Sequence, residues 1–322
     1  MTVLVTGGAG YIGSHTVRQL LATGRPVVVL DSLEYGSRAA LLGAELGVGD
    51  IADRALVGEV CRTHGVRQVV HFAAYKAVGE SMEQPGRYWL NNVTGTVHLL
   101  EAVLAAGVRE FVFSSSCSVY GTPAQVPVTE AAPIHPESVY AETKAMTERV
   151  LGWYGVTHGL RSVSLRYFNA AGASADAAIG EDWTHSQNLV PLVMKAALGR
   201  MGRLAVFGND YPTPDGTCIR DYIHVDDLAA AHLRALDHLA GGGGTEAVNV
   251  GTGVGSSVLE VIAATERISG CSVPYDIVAR RPGDPVSTYA DPKRAREVLK
   301  WQATQGLDEI IASAWAWHST HL

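Results

Sequence analysis

Apolar positions in the first half of the chain fall into short, unbroken, β-branched runs separated by longer amphipathic stretches. TVLVTG (2–7) ends on a glycine, and YIGSHTVRQLLATG (11–24) follows with apolar residues at helical spacing and closes on another. RPVVVLD (25–31), LGVGD (46–50), VRQVVHFA (66–73), VREFVFSSS (108–116) and LRSVSLRYFN (160–169) read as further strands, with helical stretches between most of them. Continuous apolar strands alternating with amphipathic helices predict an α/β chain whose parallel sheet is covered on both faces. Right-handed crossovers make that sheet doubly wound.

After Asn169 the texture changes. Loops lengthen and prolines multiply, among them Pro191, Pro212, Pro214, Pro274, Pro285 and Pro292. The expected division is a dinucleotide-binding domain of the Rossmann type over 1–169 and a smaller α+β substrate-binding domain over most of 170–322. The run EAVNVGTG (246–253) has strand character and is expected to return to the main sheet. GGGG (241–244) reads as a surface turn, because regular patterns resume on both sides of it. SAWAWH (313–318) reads as a packed C-terminal helix.

Composition narrows the function classes. A chain of 322 residues can bury a large core. Its formal net charge of −7 lacks the basic footprint of a nucleic-acid binder. The four cysteines (Cys61, Cys117, Cys218 and Cys271) have no CxxC spacing, which argues against a disulfide framework and against a zinc site. His71, His224, His232 and His238 show no HExxH spacing, so no metal is expected. The start, MTVLVTGG, has neither a charged leader nor a long apolar stretch, and no segment reaches the ~20 apolar residues of a membrane span. The expected setting is the cytoplasm, without membrane or nucleic-acid partners.

TGGAGYIG places Gly7, Gly10 and Gly13 between the first strand and the first helix. Glycine permits the sharp turn and the close approach of backbone amides to a pyrophosphate, which the following helix faces with its positive end. Asp31 closes the second strand, where a carboxylate holds ribose hydroxyls and repels a 2′-phosphate, so the expected cofactor is NAD. Asp50 and Ile51 follow the third strand, beside the expected adenine edge. A solvated loop aspartate is the alternative reading there.

SVYAETK (138–144) sets Tyr140 and Lys144 four apart in the first turns of a helix, on one face, with Cβ atoms about 5–6 Å apart. Ser116 ends the fifth strand, at the edge where such sheets bind ligands. A tyrosine that acts as base near pH 7 needs a pKa about 3 units below its usual value, or about 4 kcal/mol. One cation about 4 Å away offers about 4 kcal/mol at an effective dielectric of 20. Burial opposes the shift. Lys144 and an oxidised nicotinamide together can offset it. Tyr140 then removes a hydroxyl proton as hydride leaves, and Ser116 bonds the same oxygen.

On these motifs the chain resembles an extended short-chain dehydrogenase/reductase. HFAAYKAVGES (71–81), NNVTGT (91–96), LRYFNAAGA (165–173) and FGNDYPTPDGTCIRDYIHVDDLA (207–229) are similar to the UDP-glucose 4-epimerase (UDP-galactose 4-epimerase) family, nearly end to end. The resemblance implies Tyr140 as base, Lys144 as its electrostatic partner and Ser116 as hydroxyl donor. It implies cofactor contacts from Gly7, Gly10, Tyr11, Ile12, Gly13, Asp31, Ser32, Asp50, Ile51, Phe72, Ala73, Ala74, Lys76, Asn92, Ser114 and Tyr167, besides Tyr140 and Lys144. It implies a UDP-hexose held by Lys76, Ser116, Tyr140, Asn169, Asn188, Leu189, Ala205, Phe207, Arg220, Arg281, Asp284 and Thr288. Without the resemblance, Arg220 in RDY reads as an ion pair with Asp221, and Arg281 as a solvated surface charge. The implied chemistry takes hydride from C4, turns the 4-keto sugar over and returns the hydride, leaving NAD bound and regenerated. The implied assembly is a homodimer through 88–107 and 145–154, whose apolar faces equally suit packing on the sheet.

Two departures from the family pattern stand out. Ser32 replaces the usual asparagine beside Asp31, and the segment from Asp31 to Asp50 is shorter than usual, which leaves the adenine pocket less defined. Thr288 is small where the family walls the hexose pocket, so N-acetylated UDP-sugars are further candidate substrates. Two competing readings remain. A nucleotide-sugar 4,6-dehydratase would want an acidic pair after the strand-five serine, where this chain has Cys117 and Ser118. A non-catalytic NAD-sensing regulator could dispense with Tyr140 and Lys144, which this chain keeps.

Overall fold

A computed structural model describes residues 1–184, 186–281 and 283–321. Its first half runs β1 (Thr2–Thr6), α1 (Tyr11–Ala22), β2 (Val27–Asp31), β3 (Glu45–Val48), α2 (Arg54–Thr63), β4 (Val66–His71), α3 (Val78–Glu83), α4 (Pro85–Tyr88), α5 (Thr96–Ala105), β5 (Glu110–Ser114), α6 (Val139–His158) and β6 (Arg161–Tyr167). The second half runs β7 (Asn169–Ala171), α7 (Leu189–Ala197), β8 (Leu204–Phe207), β9 (Ile219–His224), α8 (Val225–Ala240), β10 (Glu246–Val250), β11 (Gly255–Ser257), α9 (Val258–Ser269), β12 (Tyr275–Val278), β13 (Ser287–Thr288) and α10 (Leu307–Thr320).

Seven strands form the main sheet in the order β10-β6-β5-β4-β1-β2-β3, every pair parallel. This is the doubly wound Rossmann arrangement that the apolar runs predict, and the order reverses beside β1. There the carboxyl ends of β1 and β4 open a ligand crevice. β2 is buried along its whole length, so its VVVLD run needs no alternation. Side chains on the two sides of the sheet feed separate cores. Val3, Val5, Val70 and Val112 pack with Leu228, Leu236 and Leu239 of α8. Leu4, Val69, Phe111 and Phe113 pack with Leu99 and Val103 of α5 and Leu151 of α6. Each such leucine contributes roughly 1.5–3 kcal/mol by leaving water.

The chain returns to this sheet after leaving it. α8 packs against α1, β5 and β6, and β10 pairs along β6. GGGG is the turn that joins them, with Gly242 in the left-handed region (φ +87). The remaining strands make two small sheets, one of β11, β9, β13 and β7 and one of β12 and β8. A third core fills this half: Val190, Val193 and Met194 of α7, Val261 and Ile262 of α9, Ile310 and Ile311 of α10. Asp221 on β9 is fully buried and accepts bonds from the Thr252, Gly253 and Ala290 amides and the Thr252 hydroxyl. It thereby ties the turn after β10 and the segment after β13 to the small sheet.

Candidate active site

The glycine turn is packed too tightly for any other residue at two positions. A Cβ on Gly13 would lie 2.3 Å from the Gly7 carbonyl oxygen, and one on Gly7 would lie 2.6 Å from the Ala73 nitrogen. Gly7 also has φ +70, which side chains rarely adopt. Gly10 differs: a Cβ there meets only the Gly7 oxygen at 3.4 Å and would otherwise project into the open crevice. Gly10 caps α1 with no side-chain hydrogen bond, so no side chain satisfies the first-turn amides of Tyr11, Ile12 and Gly13. That is a cradle for an anion at a helix N-terminus. The Tyr11 hydroxyl donates to the Gly172 carbonyl at 2.7 Å.

Asp31 ends β2 with its carboxylate fixed by the Ala9 amide (2.9 Å) and the Leu33 amide (2.8 Å). These bonds leave acceptor capacity for ribose hydroxyls. Ser32 is exposed and its hydroxyl accepts from the Glu34 amide. The shortened segment after it is pinned from outside: Tyr75 donates to Glu34 at 2.8 Å, and Arg87 pairs with Glu34 and stacks on Tyr75. Asp50 is exposed and accepts from the Ala52 amide, while Ile51 is buried against Gly95. Phe72, Ala73 and Ala74 are half-buried after β4, with Phe72 packed on His232. Asn92 does a job the sequence does not announce. It accepts from the Tyr75 amide and donates to the Tyr75 carbonyl, stapling that loop to a widened helical turn over Trp89–Gly95.

Ser138 caps α6 by accepting from the Ala141 amide, and the Tyr140 amide donates to Ser81 of α3 at 3.1 Å. Tyr140 and Lys144 are both buried. Lys144 donates to the Ser114 carbonyl at 2.7 Å, and its ammonium lies 4.8 Å from the centre of the Phe113 ring and 5.8 Å from that of Tyr140. The Ser116 hydroxyl accepts from both the amide and the hydroxyl of Ser118, which leaves its own proton to donate. Burial pushes the Tyr140 phenol well above its ordinary value, Tyr167 adds to this, and the hydrogen bond with Ser116 opposes it. Burial also pulls Lys144 down to about 7, against the pull of Glu148. The expected acidification of Tyr140 by Lys144 is therefore outweighed by desolvation in the protein by itself. Ser114 bonds the Tyr167 hydroxyl at 2.9 Å.

Glu148 is a residue the sequence reading missed. It lies four residues beyond Lys144 on the same face of α6 and binds Arg166 and Ser115. The i, i+4, i+8 spacing Tyr140–Lys144–Glu148 was the available signal. Glu181 was missed as well, and no local pattern marks it.

Facing this crevice are strands of the small sheets. Asn169 pairs with Tyr222 and donates to the Asp221 carbonyl at 3.2 Å. Thr288 lies in register beside Arg220, buried, with its hydroxyl unpartnered. Arg220 pairs with Asp284 and not with Asp221, because alternation along β9 sends Asp221 to the opposite side. That corrects the local reading of RDY. Arg281 is exposed but stacks 3.8 Å from the Phe207 ring centre, so it is not a free solvated charge. Ala205 and Phe207 share one face of β8. Asn188 caps α7 in position, and Leu189 opens that helix. Lys76 is exposed and reaches Glu181 at 3.3 Å. His71 sits in the core between Thr6 and Thr96.

A Rossmann crevice with serine, tyrosine and lysine beside a glycine turn is the arrangement of the short-chain dehydrogenase/reductase class. The model of the NAD dependent epimerase/dehydratase family matches residues 3–251, and the chain belongs to that family. A UDP-glucose 4-epimerase from Lactobacillus helveticus is 45% identical over 323 residues, spanning 100% of this chain and 98% of its own. The crystal structure of a UDP-glucose 4-epimerase from Brucella ovis in complex with NAD is 46% identical, with a TM-score of 0.96 over 98% of this chain and 97% of its own. A UDP-glucose-4-epimerase from Stenotrophomonas maltophila, with bound NAD and formylated UDP-arabinopyranose, is 41% identical, with a TM-score of 0.97 over 99% and 98%.

The lowered pKa of Lys144 has a signed consequence. Its ordinary value is 10.5 and its folded value about 7. Below pH 7 both states hold the proton, and the folded chain bears the full cost of a buried ammonium. Between pH 7 and 10.5 the unfolded chain binds more protons, so stability rises with pH. Relative to Lys144→Met, the unchanged protein should gain on the order of a few kcal/mol across that window in denaturant titrations. A difference that stays flat would show that the ammonium is compensated.

Proposed function

We propose that the chain interconverts UDP-glucose and UDP-galactose by transient oxidation at C4 to a 4-keto sugar, rotation of the sugar and return of the hydride. The observation that carries this is the Ser116–Tyr140–Lys144 set at the mouth of the glycine-turn crevice, opposite the two small sheets, with Arg220 on β9, Phe207 on β8 and Arg281 in the loop after β12. NAD bound there would supply the acceptor and donor for the C4 hydride, and it is proposed to stay tightly held and to be regenerated each turnover. Gly7, Gly10, Gly13 and the α1 amides would hold its pyrophosphate, and Asp31 its ribose. Tyr140 takes the proton of the 4-hydroxyl and returns it to the same oxygen when the sugar is reduced. Ser116 donates to that oxygen throughout, so charge developing there is met by a fixed donor. Lys144 supplies positive charge to the buried phenolate, and Glu148 favours its protonated form. Arginine suits a diphosphate because its fork bonds two oxygens at once, and the Phe207 face suits a flat base. The proposed division gives the cofactor to 1–169 and the sugar nucleotide mainly to 170–322. The dehydratase reading lacks its acidic pair: burial pushes the Cys117 thiol up to about 12, so it stays neutral.

A second substrate class is favoured by Thr288, a small, buried side chain at the expected hexose wall. UDP-N-acetylhexosamines fit beside it in this reading. The proposed assembly is a homodimer. Trp153 and Val156, three apart on α6, are 69% and 79% exposed, and Leu90, on the helical turn packed against α6, is 68% exposed. Such apolar side chains mark interaction faces. Among the described residues no helix is long and apolar enough to cross a membrane. The four free cysteines suit a reducing setting, and the cytoplasm is the proposed one.

Incubation with UDP-galactose and no added cofactor should yield UDP-glucose. A dehydrated sugar would favour the dehydratase, and an unchanged substrate the NAD-sensing regulator. Tyr140→Phe should lower kcat by roughly 10²–10⁴-fold while leaving the melting transition and bound NAD intact. In the same assay UDP-GlcNAc should also turn over, and Thr288→Tyr should abolish that activity while sparing UDP-galactose; no detectable turnover of UDP-GlcNAc by the unchanged protein would refute the wider specificity. Sedimentation should show a dimer that Trp153→Glu converts to monomer, and a monomeric unchanged protein would remove the proposed interface.

A further inference from the structure

Glu181 lies between β7 and α7, and its side chain is only 5% exposed. One oxygen, Oε1, accepts three donors: the Ser186 hydroxyl at 2.8 Å, the Asn188 side-chain amide at 2.9 Å and the Lys76 ammonium at 3.3 Å. Its own carbonyl accepts from the Trp317 indole at 3.0 Å, which fixes the backbone under it. Ser186 and Asn188 lead into α7, whereas Lys76 comes from the loop after β4 on the main sheet. The carboxylate therefore fastens the two sides of the crevice at one point.

Asn188 occupies the N-cap of α7 with extended backbone, yet its side chain makes no capping bond. Asparagine is among the preferred caps. Here its NH2 group is committed to Glu181 instead. The amides of Leu189 and Val190 in the first turn are thus left without a side-chain cap, at the positive end of a nine-residue helix. A carboxylate near such a site would repel an anion, but Lys76 offsets its charge.

We propose that Glu181 is a positioning residue for the sugar nucleotide. It holds Asn188 off the cap and Lys76 across the crevice, so that the first turn of α7 and the ammonium both face the diphosphate. This rests on the reading that the crevice takes a UDP-hexose. Glu181 bonds none of Ser116, Tyr140 and Lys144, so its effect falls on binding and not on chemistry.

Three variants separate this role from a structural one. E181Q keeps an acceptor oxygen at the same reach and should bind UDP within about threefold of the unchanged protein in titration calorimetry. E181D shortens the side chain by one methylene, and E181A removes it. Both should weaken UDP about tenfold and raise KM for UDP-galactose by the same factor, with kcat within about threefold. UDP affinity unaltered in E181D, or lost in step with kcat and the melting transition in all three, would overturn the proposal, and E181D decides it should E181A not fold. Failure of the unchanged protein to turn over UDP-galactose would instead sink the functional reading, while the UDP titrations would still decide the positioning role.

Discussion

The site depends on keeping a phenol and an ammonium buried side by side. Desolvation disfavours the charged form of each, so it raises Tyr140 and lowers Lys144 together. The protein by itself therefore favours the neutral pair. Its counter-measures are small and local: Ser116 bonds the phenol, Glu148 attracts the ammonium, and the Ser114 carbonyl accepts from it. A positive charge brought beside the phenol adds to the same side of the balance. At an effective dielectric of 20 it is worth about 4 kcal/mol at 4 Å, enough for the roughly 3-unit fall from an ordinary phenol but not for the added rise that burial imposes here. Proton transfer is thus coupled to what occupies the crevice.

That coupling requires a rigid floor, and the chain supplies it from distant segments. Under α6, Glu148 binds Arg166 on β6, Arg166 reaches the Tyr120 hydroxyl, and Tyr120 donates to Asn249 on β10. Asn249 in turn donates to the Val128 carbonyl. Every member is buried or nearly so, and each is paired, which is the condition under which a buried polar network stiffens a core. The late return of β10 to the sheet edge is therefore part of the support under α6, since without it Tyr120 loses its acceptor.

How much of this was legible in the sequence follows from what each feature depends on. The sheet was legible because parallel strands buried on both faces leave continuous apolar runs, and because Gly7 and Gly13 have no steric alternative. Tyr140, Lys144 and Ser116 were legible because helix spacing and strand ends are local. Other features depend on long-range geometry. Arg220 turned out to pair with Asp284, 64 positions away, and not with its neighbour Asp221, because a strand sends successive side chains to opposite faces. Asn92 staples Tyr75, and Glu181 gathers Lys76 from 105 positions away. No window of sequence contains such pairs, so only the motif resemblance pointed to their surroundings.

The cations of the crevice share one trait. Arg220 is matched by Asp284, Lys76 by Glu181, and Arg281 rests on the face of Phe207. Arg220, the most buried of the three, would bear a desolvation cost if left alone, and its pair with Asp284 offsets it. A diphosphate held by Arg220 and Lys76, as proposed, would share or displace the carboxylates of Asp284 and Glu181, so its net affinity would be the difference between two ion pairs. That difference is smaller than the attraction of a bare arginine cluster. A reversible reaction, in which substrate and product are both nucleotide sugars of the same charge, needs such moderation: the anchor must outlast the turning of the sugar and still let the product leave.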